Sequence, residues 1–279
     1  MASGSIALPL RTGALRVRGA TLLSNAMLAA VSLVGVAAFL YPFLLSRAPG
    51  GGEGVARAQD APLIFALLLS LALLLFMLEL TRQGMNAKTV SMLAVVMMAA
   101  AALRVPTLPA GANAFFFLVI IGGYVFGARL GFLLGAGALF VSAFAIGGFG
   151  PWLPFQMFAC GWVGMTSGWL GSTLQRPLRE RKRTEVIAIA AFGCAWGFLF
   201  GAIINLWFWP YAAQGESVSW QPGMGARETL RHYWSFYLLT SAGWDGWRAL
   251  ANAALILAAG RPTLDLLVRF RDRYQVRFD

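Results

Sequence analysis

The position of Lys and Arg relative to the apolar runs is the feature that most constrains how this chain can fold. Runs of roughly 20 mainly apolar residues are long enough to cross a bilayer as helices. The sequence holds eight such candidates, at residues 20 to 45, 62 to 81, 88 to 103, 112 to 126, 130 to 148, 152 to 173, 186 to 209 and 242 to 260. The runs beginning at 88, 112 and 130 are short or marginal when judged by hydropathy alone. The alternation of basic charge between the runs is stronger support for these three spans than their hydropathy.

Basic residues concentrate in every second gap between these runs. Sixteen of the 22 Lys and Arg residues fall on one side of the predicted membrane. They are Arg11, Arg16, Arg18, Arg82, Lys88, Arg129, Arg176, Arg179, Arg181, Lys182, Arg183, Arg261, Arg269, Arg271, Arg273 and Arg277. The other side holds Arg47, Arg57, Arg104, Arg227 and Arg231, whereas Arg248 falls inside the last run. Because Lys and Arg are retained in the cytoplasm, both termini are predicted to be cytoplasmic, with an even number of crossings.

Composition agrees with a membrane protein. With 59% hydrophobic and 12% charged residues, the chain lacks the polar surface of a soluble domain of this size. The net charge of +11 indicates contact with anionic lipid headgroups rather than nucleic acid, because the basic clusters adjoin the ends of the spans. The first run extends beyond a signal-peptide core and is interpreted as a retained helix. Cys160 and Cys194 have apolar neighbours and predict neither a disulfide nor a metal site.

The chain divides into two blocks of different character. Residues 1 to 85 are predicted to form an N-terminal two-helix membrane segment, with a flexible glycine-rich loop at residues 49 to 54. Residues 86 to 279 are predicted to form a six-helix membrane domain rich in glycine and aromatic residues. Small residues three or four apart let membrane helices approach closely, so the glycines between 122 and 171 predict a tightly packed bundle.

Aromatic and polar residues gather at the outer ends of the spans. They are Asn113, Phe115, Trp152, Gln156, Asn205, Trp207, Trp209, His232, Tyr233, Trp234, Trp244, Asp245, Trp247 and Arg248. An interfacial aromatic belt accounts for part of this set. It does not account for Gln156, Asn205, Asp245 and Arg248, because polar side chains inside a bilayer face a cavity or a partner. Asp245 and Arg248 are three residues apart, so they can form a structural ion pair or jointly flank a ligand pocket, and both interpretations stay open here.

The entrance to the sixth run is marked by two prolines. Pro151 and Pro154 bracket Trp152 and Leu153, and proline is tolerated in the first turn of a helix. This pattern predicts a shaped entry to the helix, with Gln156 one turn inside it and near the expected cavity.

Signatures of catalysis are weak. His232 is the single histidine and falls in a predicted outer loop, which excludes a multi-histidine metal site. The segment from Gly164 to Gly168 does not have the spacing of a serine-nucleophile turn and is interpreted as small residues in a packed helix. There is no phosphate-binding Gly-x-x-x-x-Gly-Lys-Ser/Thr loop, so uphill transport would need energy from a partner.

Four motifs of the second block occur in a recognisable order. A short helix begins Lys88-Thr89-Val90-Ser91, and the run Gly-Tyr-Val-Phe-Gly-Ala-Arg-Leu-Gly-Phe-Leu-Leu-Gly-Ala occupies 123 to 136. Pro-Trp-Leu-Pro-Phe-Gln-Met at 151 to 157 then leads into Gly-Trp-Val-Gly at 161 to 164, and Trp-Asp-Gly-Trp-Arg-Ala at 244 to 249 precedes Arg261 and Arg269. Together these motifs resemble the substrate-binding S components of energy-coupling-factor (ECF) vitamin transporters, over about residues 86 to 275.

The resemblance implies a six-helix membrane protein, here preceded by two additional helices, that captures a vitamin or related micronutrient in an outward-facing pocket. It also implies a multi-pass protein of a prokaryotic cell membrane that works with a transmembrane coupling subunit and two ATPase subunits. From the residues themselves we expect neither a cofactor nor a metal site. The family often docks on the coupling subunit through Ala-x-x-x-Ala in its first helix. Here Met98 stands four residues after Ala94, and Ser91, Val95 and Ala99 form a looser stripe.

We therefore expect a substrate-binding protein rather than an enzyme. The predicted pocket residues are Arg104, Asn113, Trp152, Gln156, Asn205, Trp209, Asp245 and Arg248. Aromatic residues would stack on a planar or macrocyclic ligand and polar residues would orient it. Corrinoids, pterins, thiamine precursors and modified nucleobases suit such a site, with a lean to a cobalamin-type ligand because corrinoid carriers have a similar Pro-Trp-x-Pro-x-Gln entry. The alternatives are a membrane enzyme acting on lipid, with Asp245 or His232 as acid or base, and a structural membrane partner without a ligand.

Overall fold

The structure is a computed structural model, and every regular element that it describes is helical. It describes residues 10–44, 63, 66–78, 87–107, 111–178, 180–212, 217–221 and 223–273. The predicted loop at 49 to 54 lies outside these residues, as do Arg47, Arg57, Arg82, Arg179 and Arg277. The helices are α1 (Leu10–Leu44), α2 (Ala66–Leu78), α3 (Ala87–Ala102), α4 (Phe115–Phe126), α5 (Ala128–Ile146), α6 (Leu153–Leu174), α7 (Lys182–Phe208), α8 (Ala226–Thr240) and α9 (Ala242–Arg273). A short 3₁₀ helix, Trp209–Tyr211, follows α7.

Length and hydropathy identify four helices as able to cross a membrane. They contain Asn25–Phe43, Ala128–Ile146, Lys182–Tyr211 and Ala242–Arg273. Helices α2, α3 and α4 are apolar but shorter. At about 1.5 Å per residue, the 12 residues of α4 span about 18 Å, which is less than the hydrocarbon core of a bilayer. The predicted runs beginning at 88 and 112 are thus short helices in the structure, whereas the run beginning at 130 forms α5, which is long enough to cross.

Helix contacts show the alternating direction that the charge pattern predicts. Helices α5 and α6 run antiparallel, since Gly131 lies against Gly164 and Gly135 against Cys160. Helices α4 and α6 run parallel, because Ser167 donates to the carbonyl of Ile120 at 2.6 Å and, further along both helices, Gly171 lies against the Tyr124 carbonyl.

The end of α3 lies near the end of α5, since Arg104 donates to Ser142, and the start of α6 lies near the end of α7, since the rings of Phe155 and Trp207 are in contact. Helices α3, α5 and α7 therefore begin at one end of the bundle, which we call the basic end. The opposite end is called the aromatic end.

Two predicted boundaries differ from the structure. The last apolar run stops at residue 260, but α9 continues to Arg273, because a helix does not end where its side chains leave the hydrocarbon. The segment holding His232 is not a loop as predicted, since it forms the amphipathic helix α8. Charged residues interrupt this segment, so it does not stand out as a long apolar run. Its buried residues nevertheless have helical spacing, and they are His232, Tyr233, Phe236 and Tyr237.

Glycines bring α4, α5 and α6 into backbone contact, as the sequence predicts. A side chain at Gly123 or Gly131 would collide with the carbonyl of Gly164, and one at Gly135 with that of Cys160. Gly127, with φ of 89°, is the single residue between α4 and α5. Glycine adopts this backbone conformation without the steric cost that other residues have, so the chain reverses there in one residue.

A second glycine face, on α7, was missed in the sequence. Gly193, Gly197 and Gly201 follow one another at intervals of four and face α9. A side chain at Gly197 would collide with the backbone of Ala249, and one at Gly201 with the carboxylate of Asp245. This close approach brings the charged residues of α9 against the backbone of α7.

The N-terminal helices share the core of the following helices. Phe39 of α1 is 2% exposed, and its ring centroid lies 5.0 Å from that of Phe155 and 5.6 Å from that of Trp162. Leu68 and Leu75 of α2 are buried in the same hydrophobic core. The division of the chain at residue 85 stays a prediction about domain organisation.

Candidate functional site

The ion pair of Asp245 and Arg248 lies at the aromatic end, between α9 and α7. Arg248 Nη1 lies 2.5 Å from Oδ1 of Asp245, so the i,i+3 spacing does bring these side chains together. The Asp245 side chain is 3% exposed and that of Arg248 is 26% exposed. Gly201 makes this burial possible, because a larger residue would occupy the place of the carboxylate.

The second oxygen of Asp245 has a different environment. Asp245 Oδ2 is buried and accepts no ordinary hydrogen bond from the described residues. The phenol of Tyr237 lies within interaction range of this carboxylate, although its hydroxyl also lies 3.4 Å from the Phe198 carbonyl. Oδ2 is also the atom nearest to the space above Gly201, so it faces the backbone of α7. An acceptor buried there without a full set of donors is costly.

Arg248 also contacts the backbone and an aromatic ring of α7. Its Nη1 donates to the Gly197 carbonyl at 3.2 Å, and its guanidinium carbon lies 5.3 Å from the centroid of the Phe200 ring. A cation at this distance over a ring is attracted by the negative face of the ring. Arg248 is thus fixed by three neighbours and keeps further N–H donors.

Arg104 lies in the turn after α3, also at the aromatic end. Its Nη1 donates to the Ser142 hydroxyl at 2.8 Å, and its guanidinium carbon lies 5.9 Å from the Phe115 ring centroid. Burial lowers the pKa of this guanidinium from its ordinary value. Ser142 was missed as a partner because its polar side chain lies alone in an apolar run.

A row of aromatic rings connects the two arginines. The Phe115 and Phe116 centroids are 5.3 Å apart, and those of Phe116 and Phe200 are 4.8 Å apart. Since Arg104 lies on Phe115 and Arg248 on Phe200, a cation stands at each end of the row. Both arginines were predicted from the sequence, whereas Phe116 and Phe200 were missed because an aromatic residue in an apolar run has no local signal.

Three other predicted site residues hold the protein backbone or a neighbouring side chain. Asn113 Oδ1 accepts a hydrogen bond from the Phe115 N–H at 3.1 Å, which satisfies a free donor at the start of α4. Asn205 Nδ2 donates to the Ser241 hydroxyl at 2.7 Å and so joins α7 to the break before α9. Trp209 is 1% exposed and donates from Nε1 to the Val218 carbonyl at 2.7 Å.

The remaining two predicted site residues lie at the start of α6. This helix begins at Leu153 with Pro154 in its first turn, as the sequence predicts. Trp152 is 41% exposed and covers Gly150, whereas Gln156 is half-buried one turn into the helix. The structure brings neither residue into a described side-chain hydrogen bond with Asp245, Arg248 or Arg104.

His232, one of the two residues of the enzyme alternative, and Ser167, in the segment compared with a serine-nucleophile turn, both have structural contacts. His232 is buried on α8, where its Nδ1 lies 2.9 Å from the Ser219 carbonyl. Ser167 donates to the carbonyl of Ile120, which joins α6 to α4. Each of these side chains thus has a partner that explains its position in the fold.

A cavity of about 470 Å³ opens at the basic end, where sequence analysis placed no site. On its wall, Glu185 of α7 accepts hydrogen bonds from the Tyr124 hydroxyl and from Arg261 Nη1, each at 2.9 Å. Arg261 also pairs with Asp265 of α9. Of these contacts, only the i,i+4 pair of Arg261 and Asp265 has a sequence signal, because the other partners are distant in the chain.

Comparison with known proteins identifies the family. The sequence model of the family described as ECF transporter, substrate-specific component, matches residues 63–259. This match includes α2 and ends within α9. Neither a curated protein nor a solved structure matches the chain significantly. The family is one of membrane-embedded substrate-binding subunits of transporters, which work with membrane partner subunits on small-molecule substrates, and it is not a family of enzymes. The chain is a multi-pass membrane protein whose apolar helices pack through glycine. By the family match, it belongs to the substrate-specific components of ECF transporters.

Proposed function

We propose that the chain is the substrate-capture subunit of an ATP-driven ECF importer, and that it receives a vitamin or related micronutrient at the aromatic end, from outside the cell. The observation that carries this proposal is the aromatic row with a cation at each end, Arg104 on Phe115 and Arg248 on Phe200. Polar groups on aromatic surface are the usual elements of a small-molecule site.

The chemistry of the row favours a planar or macrocyclic ligand with polar substituents. The free N–H donors of Arg104 and Arg248 fit oxygen acceptors, and Asp245 holds Arg248 in place for such a contact. Phe115 and Phe116 are 1% and 7% exposed, so stacking surface would come mainly from the half-buried ring of Phe200. A corrinoid combines a large ring with amide substituents. A cobalamin-type ligand is therefore our first candidate.

The other predicted residues have supporting roles in this proposal. Trp152 and Gln156 stand at the start of α6, where they would meet a ligand entering from outside. Asn113, Asn205 and Trp209 would shape the site indirectly, since each holds a loop or helix end in place.

Energy for import would come from partner subunits in a prokaryotic cell membrane. The sequence has no phosphate-binding loop, so a transmembrane coupling subunit and two ATPase subunits would supply ATP hydrolysis. Reconstituted alone, the chain should bind substrate without accumulating it, and accumulation should begin when the three partner subunits are added. ATP hydrolysis by the purified chain alone would contradict this assignment.

Mass spectrometry of small molecules released from the purified chain tests the substrate. We expect a vitamin-like compound at about one molecule per chain, because a tight site retains its ligand through purification. A preparation that retains no ligand and binds no corrinoid, pterin, thiamine precursor or modified nucleobase would contradict the proposal and favour a structural partner without a ligand.

A further inference from the structure

If the basic end faces the cytoplasm, as the distribution of Lys and Arg predicts, the cavity at this end is at the level of the inner membrane surface. Its wall follows α9 from Arg261 to Asp272, and Arg261 comes directly after the last apolar run. The ends of α4 and α6 and the start of α7 complete it. The cavity is therefore at the opposite end of the bundle from the substrate site proposed above, and it opens where lipid headgroups meet the protein.

The acidic groups of the cavity are already paired with cations. Glu185 is bound by Arg261 at 2.9 Å and by the Tyr124 hydroxyl. Asp265 is bound by the same arginine, and Asp272 by Arg271 at 3.1 Å. These contacts hold α4, α7 and α9 together and leave no carboxylate of this wall without a cation.

Two cations of the same cavity have no such partner. Arg176, after α6, and Lys182, at the start of α7, both line the cavity and are exposed. Neither has a hydrogen bond or ion pair with another described residue. Arg271, by contrast, is held by Asp272 and by the Val125 carbonyl, so the surplus positive charge facing the cavity comes from Arg176 and Lys182.

Part of the wall is apolar. Leu264 is 3% exposed and Val268 is half-buried, and both lie on α9 between the charged residues of the cavity. Leu266 and Phe270 are exposed but lie on the other side of α9, outside this wall. A free anion would need the cations but not this apolar wall, whereas a lipid would use both.

We propose that this cavity binds the phosphate group of an anionic membrane lipid, with Arg176 and Lys182 as its principal contacts. Basic pockets between membrane helices on the cytoplasmic side bind anionic headgroups in this way. The bound lipid would fix the orientation of α6 and α7 at the membrane surface.

Lipid titration followed by native mass spectrometry tests this site on the full chain in neutral detergent. The probes are short-chain phosphatidylglycerol, short-chain phosphatidylcholine and inorganic phosphate. We expect the wild type to prefer phosphatidylglycerol, and Arg176→Gln/Lys182→Gln to bind it about tenfold more weakly. Both side chains are exposed, so this variant should melt like the wild type.

The matched control is Arg181→Gln/Arg183→Gln, which removes two exposed charges from the same stretch without touching the cavity wall. It should bind phosphatidylglycerol within about twofold of the wild type, since its charges contribute only through the screened surface field. Equal losses in the two double variants, or equal binding of the two lipids by the wild type, would overturn the site. Displacement of the lipid by inorganic phosphate at equal concentration would overturn its assignment to a lipid.

Discussion

The carboxylate of Asp245 packs directly on the α-carbon of Gly201, in the space that any side chain at residue 201 would fill. This contact joins the outer turn of α9 to α7 and holds Asp245 where it meets Arg248. Helix packing and the position of the charged pair thus depend on the same residue. Changes at Gly201 should therefore affect both.

The first prediction concerns this contact. Gly201→Ala should lower the free energy of unfolding by about 1 to 3 kcal/mol, because the added methyl overpacks a filled interface. The control is Gly243→Ala on α9, where an added methyl has open space around it. Thermal melting in detergent measures both variants. A Gly201→Ala protein as stable as the control would show that α7 and α9 do not approach this closely.

The second prediction concerns the ion pair itself. Asp245→Asn and Arg248→Gln should each destabilise the fold, since each leaves one partner charge without compensation in a buried place. The double variant should recover much of the lost stability, because a neutral pair has no unpaired charge. Melting curves on the wild type, both singles and the double form a complete cycle. Strictly additive losses would mean that the two side chains do not interact.

The third prediction concerns topology. In a chain with Cys160 and Cys194 replaced by Ala, single cysteines at positions 50 and 215 should react with an impermeant reagent added outside, and one at position 180 only from inside. This follows from the concentration of basic residues at one end of the bundle. Labelling of position 180 from outside would reverse the orientation of the chain.

The fourth prediction concerns docking on the coupling subunit. Ser91, Val95 and Ala99 are all exposed on α3, so the stripe is available to a partner in the membrane. Ala99→Trp should block assembly while leaving substrate binding unchanged, because a bulky ring prevents close helix approach. Leu250→Trp, at another exposed position, is the control. Co-purification with the coupling subunit measures both, and intact assembly of Ala99→Trp would exclude this face.

Periodicity and charge predicted most of the fold, for physical reasons that particular elements illustrate. A membrane helix must satisfy its own backbone and be apolar outside, so α5 and α7 are visible as long apolar runs. Helix α8 was missed because it is amphipathic and does not cross as an apolar run. The Gly193, Gly197 and Gly201 face was missed because glycine in an apolar run does not indicate which helix it meets.

The candidate site was predicted less completely. The i,i+3 spacing of Asp245 and Arg248 indicated their pairing, because helix geometry fixes such neighbours locally. Asn113, Asn205 and Trp209 have partners in the chain that no local pattern shows. A polar residue within an apolar run indicates that its side chain needs a hydrogen-bond partner. Which residue is that partner depends on tertiary contacts, as the hydrogen bond between Arg104 and Ser142 illustrates.

Equilibrium binding of the released ligand to the double variant Asp245→Asn/Arg248→Gln tests the proposed substrate site most directly. The control is Glu228→Gln/Arg231→Gln, an exposed pair with the same spacing on α8 at the same end of the bundle. If Asp245 and Arg248 contact the ligand, the folded double variant should bind it roughly tenfold or more weakly, and the control like the wild type. Wild-type affinity in a folded double variant would contradict the account and leave the pair with a structural role alone.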